Sequence, residues 1–305
     1  MLRSGFAAGL AAYLLWGLFP LYWPLLEPAS SEEILAHRII WSMLFVAALL
    51  AARQGFRWVR HLGWRKLALL ALAAALITVN WGVFIYGVNS GHVVEVSLGY
   101  FINPVVTVAL AVTVIGERLR TAQWAAVAIA ALAVLVLTVG YGRPPWVALA
   151  LAFSFGFYGL VKKQADVGGT QSLAVETTLL FAPALAFVVV LEATGRGTFT
   201  DGGVDHALLL MGGGVVTAIP LLLFGAAAVR ISLTTIGLLQ YIAPSMHFAI
   251  GVTIRGEDMP ASRWIGFGLV WIAVAVFTWD SLRSRRPVAV RRDAGASRVR
   301  AWRRG

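Results

Sequence analysis

The chain has 305 residues, of which 59% are hydrophobic and only 13% charged, with a mean hydropathy of +0.80. A water-soluble domain of that length has too little interior to hide so much apolar surface, so the surrounding solvent is read as lipid. The net charge of +11 does not point to nucleic acid, because much of it lies in the loops between apolar runs and in a tail without an apolar face. It serves orientation and contact with anionic lipid instead. There is no cysteine, which excludes disulfides and thiol chemistry.

A membrane-spanning helix needs roughly 20 mostly apolar residues. Runs of that kind are predicted at 5–25, 34–52, 67–88, 93–115, 122–140, 146–161, 173–191, 207–228, 233–254 and 261–280. They are rich in Ala, Leu and Gly and lack the strict alternation of a transmembrane β-strand. The fold class expected is therefore all-α integral membrane, with ten transmembrane helices. The first run follows a cation, as in a signal peptide, but it is span-length and has no convincing small-residue cleavage site, so it is expected to remain as the first span.

The second half repeats the first at an offset of about 140 positions. Phe101-Ile102-Asn103-Pro104 answers to Tyr241-Ile242-Ala243-Pro244, Thr113 to Thr253, Gly116-Glu117 to Gly256-Glu257 and Trp124 to Trp264. This divides the chain into a first five-helix repeat at 1–140, a second at 141–282 and a basic, disordered tail at 283–305. Most Lys and Arg fall on one side if both termini are cytoplasmic. Five spans per repeat is odd, so the two repeats are expected to be inverted.

Ionisable side chains within lipid are costly and usually face a partner or a wet cavity. His37 and Arg38 on the second span, and His92 and Glu95 at the start of the fourth, lie near the outer face. Ser30 and Glu33 are spaced as a capping box. From that start Arg38 is roughly 10 Å along its helix, and Glu95 about 7 Å along its own, so an Arg38–Glu95 pair is geometrically allowed. Such a pair either fixes helix packing or binds substrate or a proton, and the sequence leaves both open. Glu176 is placed in the first turn of the seventh span, on the same side of the membrane as Lys162, Lys163 and Arg230. These five residues, His37, Arg38, His92, Glu95 and Glu176, form the candidate gate or proton-coupling set.

Proline interrupts a membrane helix by removing a backbone hydrogen bond. Helix breaks are expected at Pro20, Pro104, Pro220 and Pro244, and the Asn103-Pro104 and Ala243-Pro244 positions match between halves. Matched interruptions point to a site near the membrane midplane. The candidate substrate cavity is Trp16, Tyr22, Trp41, Asn80, Trp81, Ser97, Tyr100, Phe101, Asn103, Gln240, Tyr241 and His247, which mixes aromatic faces with hydrogen-bonding groups. Trp23, Trp124, Trp146, Trp264 and Trp279 are assigned to the interfacial belts. No metal-ligand spacing or nucleophile-base arrangement stands out.

The runs Trp16-Gly17-Leu18-Phe19-Pro20-Leu21-Tyr22-Trp23, Glu33 to Ser42, and Asn89 to Pro104 with its Gly-Tyr-Phe-Ile-Asn-Pro core resemble the RarD branch of the EamA transporters. Pro220 to Phe224 and Leu239 to Pro244 resemble the same branch. Ser90 departs from it, standing where His is expected, which weakens a role for a His pair in that loop. The resemblance implies the drug/metabolite transporter superfamily, the bacterial inner (plasma) membrane, ten helices from a duplicated unit and no cofactor. It implies transport of a drug or metabolite, with a link to chloramphenicol sensitivity. The expected function is a secondary transporter, an exporter of small amphipathic metabolites or drugs, working by alternating access between the repeats. It is not expected to be an enzyme. Its partners are a small-molecule substrate and the lipid bilayer, with protons as candidate coupling ion, no nucleic acid, and homodimerisation left open. An intramembrane enzyme acting on lipid-linked substrates and a non-transporting membrane scaffold are the alternatives.

Overall fold

A computed structural model describes residues 2–53, 55, 58–59, 62–110, 112–113, 119–228, 230–231 and 233–283. The Gly116-Glu117 landmark and the tail beyond 283 lie outside the described residues. Every regular element described is helical. Eight helical segments are long and apolar enough to cross a membrane, and two shorter apolar helices, Val93–Thr107 and Ile242–Thr253, fall where the fourth and ninth spans are predicted.

The first span is α1 (Leu2–Gly17), α2 (Phe19–Tyr22) and a 3-10 turn at Trp23–Leu26. Pro20 stands in the first turn of α2, where its missing N–H has no intrahelical partner to lose, so the chain breaks ahead of it. Then follow α3 (Ser31–Arg53), α4 (Trp64–Asn89), α5 (Val93–Leu110) and α6 (Thr121–Tyr141). The second half begins with α7 (Trp146–Ala165), α8 (Gly169–Ala193) and α9 (Gly203–Ala228). Its ninth span is divided into α10 (Leu233–Leu239) and α11 (Ile242–Thr253), and α12 (Ala261–Arg283) completes the bundle.

The expected matched breaks are not matched in form. Helix α5 continues through Pro104, and α9 continues through Pro220. The second half breaks at Gln240 and Tyr241, which leaves Pro244 in the first turn of α11, a position that tolerates proline. Equivalent prolines thus give a continuous helix in one half and a divided one in the other.

Packing follows the apolar pattern. Helix α5 is buried all round through Val93–Gly99 and touches α7, α11, α12 and α6. It reaches α7 closely because Gly99 has no side chain: a Cβ there would lie 2.8 Å from the Ala148 carbonyl oxygen. Helix α3 packs on α8 and α9, α4 on α7, α1 on α9 and α11, and α6 on α12. Most of these contacts join the first half of the chain to the second. The outward faces carry large apolar side chains such as Leu135, Val139, Val190 and Ile265, as lipid demands. Trp124, Trp146, Trp264 and Trp279 are exposed at helix ends, in keeping with interfacial belts.

Candidate functional site

The most unusual group in the interior is Arg38. Its position on α3 turns it away from lipid, and it is only 4% exposed. Its guanidinium carbon lies 4.0 Å from the Trp81 ring centre, 5.0 Å from Trp23 and 5.6 Å from Phe19. Among the described residues no carboxylate stands within ion-pair distance of it, and its buried Nε has no hydrogen-bond partner. Arginine stays charged in proteins. Leaving such a charge in a dry interior costs on the order of several kcal/mol. Three rings return about 0.5–2 kcal/mol each, so the guanidinium is held but not neutralised. The site holds a second orphan donor. Trp23, whose ring contacts Arg38, is fully buried with Nε1 unpartnered. This corrects its assignment to the interfacial belt: the 3-10 turn, packed on α4 and α9, folds it inward.

Beside Arg38 runs a polar strip formed by five elements. Asn80, next to Trp81 on α4, donates to the Leu151 carbonyl and the Ser154 hydroxyl of α7, both at 3.1 Å. Its carbonyl oxygen accepts from the Tyr100 hydroxyl of α5 at 3.1 Å, and Tyr100 lies within electrostatic reach of Arg38. The Tyr100 ring packs edge-on against His247 of α11 at 6.0 Å, and Phe84 touches both. His247 is 3% exposed. Its Nε2 faces the Trp16 carbonyl at 3.0 Å. A carbonyl can only accept, so Nε2 carries the proton and the buried Nδ1 is left as an acceptor without a partner. Asn80, Tyr100, His247 and Trp16 are therefore joined in one chain of contacts that reaches Arg38 through Trp81 and Tyr100, with α1, α3, α4 and α5 from the first half and α7 and α11 from the second.

The remaining candidate cavity residues sit elsewhere. The Tyr22 hydroxyl donates to the Leu209 carbonyl at 2.6 Å and ties the first span to α9. Ser97 is buried and bonded back to its own helix at Val94. Phe101 stacks on Tyr241 at 6.5 Å and meets Trp271, in the α5–α12 packing. Asn103 accepts from Thr107 one turn on, and Gln240 stands at the break in the ninth span. Trp41 donates to His37 Nδ1 at 3.3 Å.

Of the gate set, Glu95 and Arg38 do not pair. Glu95, 1% exposed, accepts from Arg143 Nη2 at 2.9 Å and from the Val147 backbone N–H at 2.9 Å. Similar depth along two helices did not put the two side chains on facing sides. His92 meets Ser90 in the loop before α5. Glu176 lies well inside α8, which starts at Gly169, so the helix N-terminus does not stabilise it as expected. Lys162 at 2.7 Å, Ser172 at 2.5 Å and the Tyr158 hydroxyl at 3.1 Å do.

Two acidic anchors escaped the sequence reading. Ser30 does cap the Glu33 N–H at 3.2 Å. The Glu33 carboxylate, however, does not return to Ser30 but accepts from Thr198 N–H at 2.7 Å and its hydroxyl at 3.0 Å. Thr198 also meets His206 Nε2 at 2.8 Å. The loop so pinned lays Phe199 flat on His37, ring centres 4.7 Å apart. Glu257, seen in the sequence as a repeat landmark, accepts the backbone N–H groups of Val93 and Val94 at the start of α5. Burial outweighs these bonds and raises its pKa above the usual carboxylate value. The signal for both anchors was an acidic residue just outside an apolar run, which by itself reads as a solvated loop charge.

A family model described as the EamA-like transporter family matches residues 3–139. A protein named RarD from Streptomyces exfoliatus is 55% identical over 301 residues, spanning 98% of this chain and 96% of its own. RarD of Salmonella typhi is 42% identical over 286 residues, spanning 93% and 97%. A solved structure aligns with a TM-score of 0.58 at 17% identity over 93% of this chain and 99% of its own, a likeness of fold alone. With near full-length identity to RarD proteins and the transporter-family model on its first half, this multi-span bacterial membrane protein belongs to the EamA-like transporter family, in its RarD branch.

Proposed function

We propose that the chain is a secondary transporter that carries small amphipathic metabolites or drugs outward across the bacterial inner membrane. The residues 1–140 and 141–282 act as inverted five-helix repeats that rock about the Arg38–Tyr100–His247 site, and the end of the bundle bearing Glu33, Glu95 and Glu257 faces outward. Both termini, with the basic tail at 283–305, are cytoplasmic. The observation that carries this reading is the buried polar and aromatic site at the seam between the two halves, with unpartnered donors and an unpartnered acceptor in a lipid-embedded bundle. Polar groups left unsatisfied there are costly unless a solute completes them.

Within this reading Glu95 and Glu257 hold helix ends, and His37 is the group assigned to carry a coupling proton. His37 is buried, its Nε2 is unpartnered, and Glu33, Glu192 and His206 act on it electrostatically.

The test loads the purified full-length protein into liposomes with a deproteinised bacterial extract and records by mass spectrometry which solutes leave. A separate set of vesicles holds chloramphenicol. Selective loss of one chemical class, faster than from protein-free vesicles and sensitive to the pH gradient, is expected. No selective loss with either direction of gradient would count against transport.

A further inference from the structure

Resting on that transport reading, we infer that the substrate carries an oxyanion, a carboxylate or its phosphonate or sulfonate equivalent, which docks on Arg38 with an apolar body lodged beside Phe19. The guanidinium has five N–H donors and no acceptor capacity; Arg38 is nine-tenths buried with no described carboxylate in ion-pair distance, and its Nε has no hydrogen-bond partner. The adjacent orphan is again a donor, Trp23 Nε1. Two unfilled donors of one kind, on side chains in contact, specify an acceptor with more than one oxygen and a negative charge. A neutral amide would satisfy the hydrogen bonds but not the charge, and a cation would be repelled.

The same geometry defines the rest of the molecule. Phe19 forms one wall of the Arg38 cage and also lines a recess of about 240 Å3 with Leu15, Leu18, Tyr22, Val216 and Pro220. This recess lies along the seam between the first span and α9 and is almost wholly apolar. An amphipathic anion can therefore set its oxyanion against Arg38 and its hydrocarbon or aromatic part on the far side of Phe19. Along the polar strip, His247 Nδ1 offers an acceptor to a hydroxyl or amine on a longer substrate.

The experiment measures thermal stabilisation of the detergent-purified full-length protein by matched probes. The probes are 4-phenylbutyrate, octanoate, phenylphosphonate and benzenesulfonate, each against its neutral amide or ester. Expected is a shift in Tm with one or more anions and none with the neutral partners, saturating with concentration. Arg38→Gln is expected to weaken that binding by at least about thirtyfold, while Arg38→Lys retains part of it. The relative responses to carboxylate, phosphonate and sulfonate identify which oxyanion the site takes. If every anion shifts Tm no more than its neutral partner, or if a folded Arg38→Gln binds the anions as well as wild type, the inference is overturned.

Should Arg38→Gln fail to fold, the wild-type protein decides through the extract-loaded liposomes. Efflux confined to anions, and inhibited by the anionic probe that shifts Tm, supports the site; efflux of neutral or cationic solutes overturns it and leaves transport standing. No efflux of any solute counts against transport, and the wild-type Tm comparison then decides anion binding by itself.

Discussion

The Glu95 carboxylate accepts the backbone N–H of Val147 at 2.9 Å, which fastens the start of α5 in the first half to the start of α7 in the second. Arg143, 37% exposed, closes the same carboxylate from its outer side. A carboxylate at a helix N-terminus is favoured by orphan N–H groups and by the helix dipole. Partners on either side, the Val147 N–H and the Arg143 guanidinium, hold the carboxylate as a clamp is held. Glu95→Gln keeps one acceptor for Val147 and loses the charge, so a stability loss of about 1–2 kcal/mol is expected, and Glu95→Ala should cost more. Proton-driven flux should persist in Glu95→Gln. Its selective abolition, with exchange intact and the fold unchanged, would restore Glu95 as the proton site.

Glu257 offers a pH test outside the membrane spans. Its folded-state pKa is raised above the ordinary value because burial outweighs its bonds to Val94 and Val93 and the nearby Arg263 and Arg255. The sign follows from linkage. Between the unfolded and folded pKa values the native state binds more protons, so this group's contribution to stability falls as pH rises through that interval. The Tm of wild type relative to Glu257→Gln should therefore decline from pH 4 towards pH 7. A difference that grows with pH would contradict the burial argument.

Much of this arrangement could be read from the chain. Ten apolar runs map onto the spans, and Asn80, Trp81, Tyr100 and His247 were visible as polar or aromatic residues inside apolar segments. The partner of Arg38 was not. A rise of 1.5 Å per residue fixes depth along a helix, but which way a side chain faces depends on how that helix is rotated and which neighbour it meets. Arg38 and Glu95 thus matched in depth and separated in the structure, one among rings and one at α7. Trp23 was misplaced for a related reason: its position at a span end suggested an interface, while the turn around Pro20 and Pro24 folds it inward. Thr198 and Phe199 lie in an ordinary polar loop, and only the return of Glu33 across 165 positions gives them a role.

Gly99 tests how tightly the two halves are joined. A Cβ added there would meet the Ala148 carbonyl oxygen at 2.8 Å and Leu151 Cβ at 2.9 Å. The first neighbour is backbone and cannot rotate away. Gly99→Ala should therefore destabilise by about 1–3 kcal/mol through overpacking, with Gly99→Val worse. Gly159, also helical but with nothing within 4 Å of the same added atom, is the control, and Gly159→Ala should be neutral or stabilising. Equal Tm values for the two alanine variants in detergent would show that α5 and α7 have slack at this point.

The loop between α8 and α9 covers His37, and two carboxylates hold it there by separate bonds. Glu33 accepts the Thr198 N–H at 2.7 Å, and Glu192 accepts the Phe199 N–H at 3.1 Å. Because amide exchange requires each bond to open, hydrogen exchange reads the two anchors one at a time. Weakening a charge-assisted bond by about 1.5 kcal/mol should speed exchange roughly tenfold. Glu33→Gln is expected to act chiefly at Thr198, and Glu192→Gln at Phe199. Phe199→Ala removes the ring stacked on His37 and should raise the reactivity of His37 towards diethyl pyrocarbonate, while both anchoring bonds remain. If His37 stays unreactive in Phe199→Ala but becomes reactive in Glu33→Gln, the loop backbone, and not the ring, is what screens it from water.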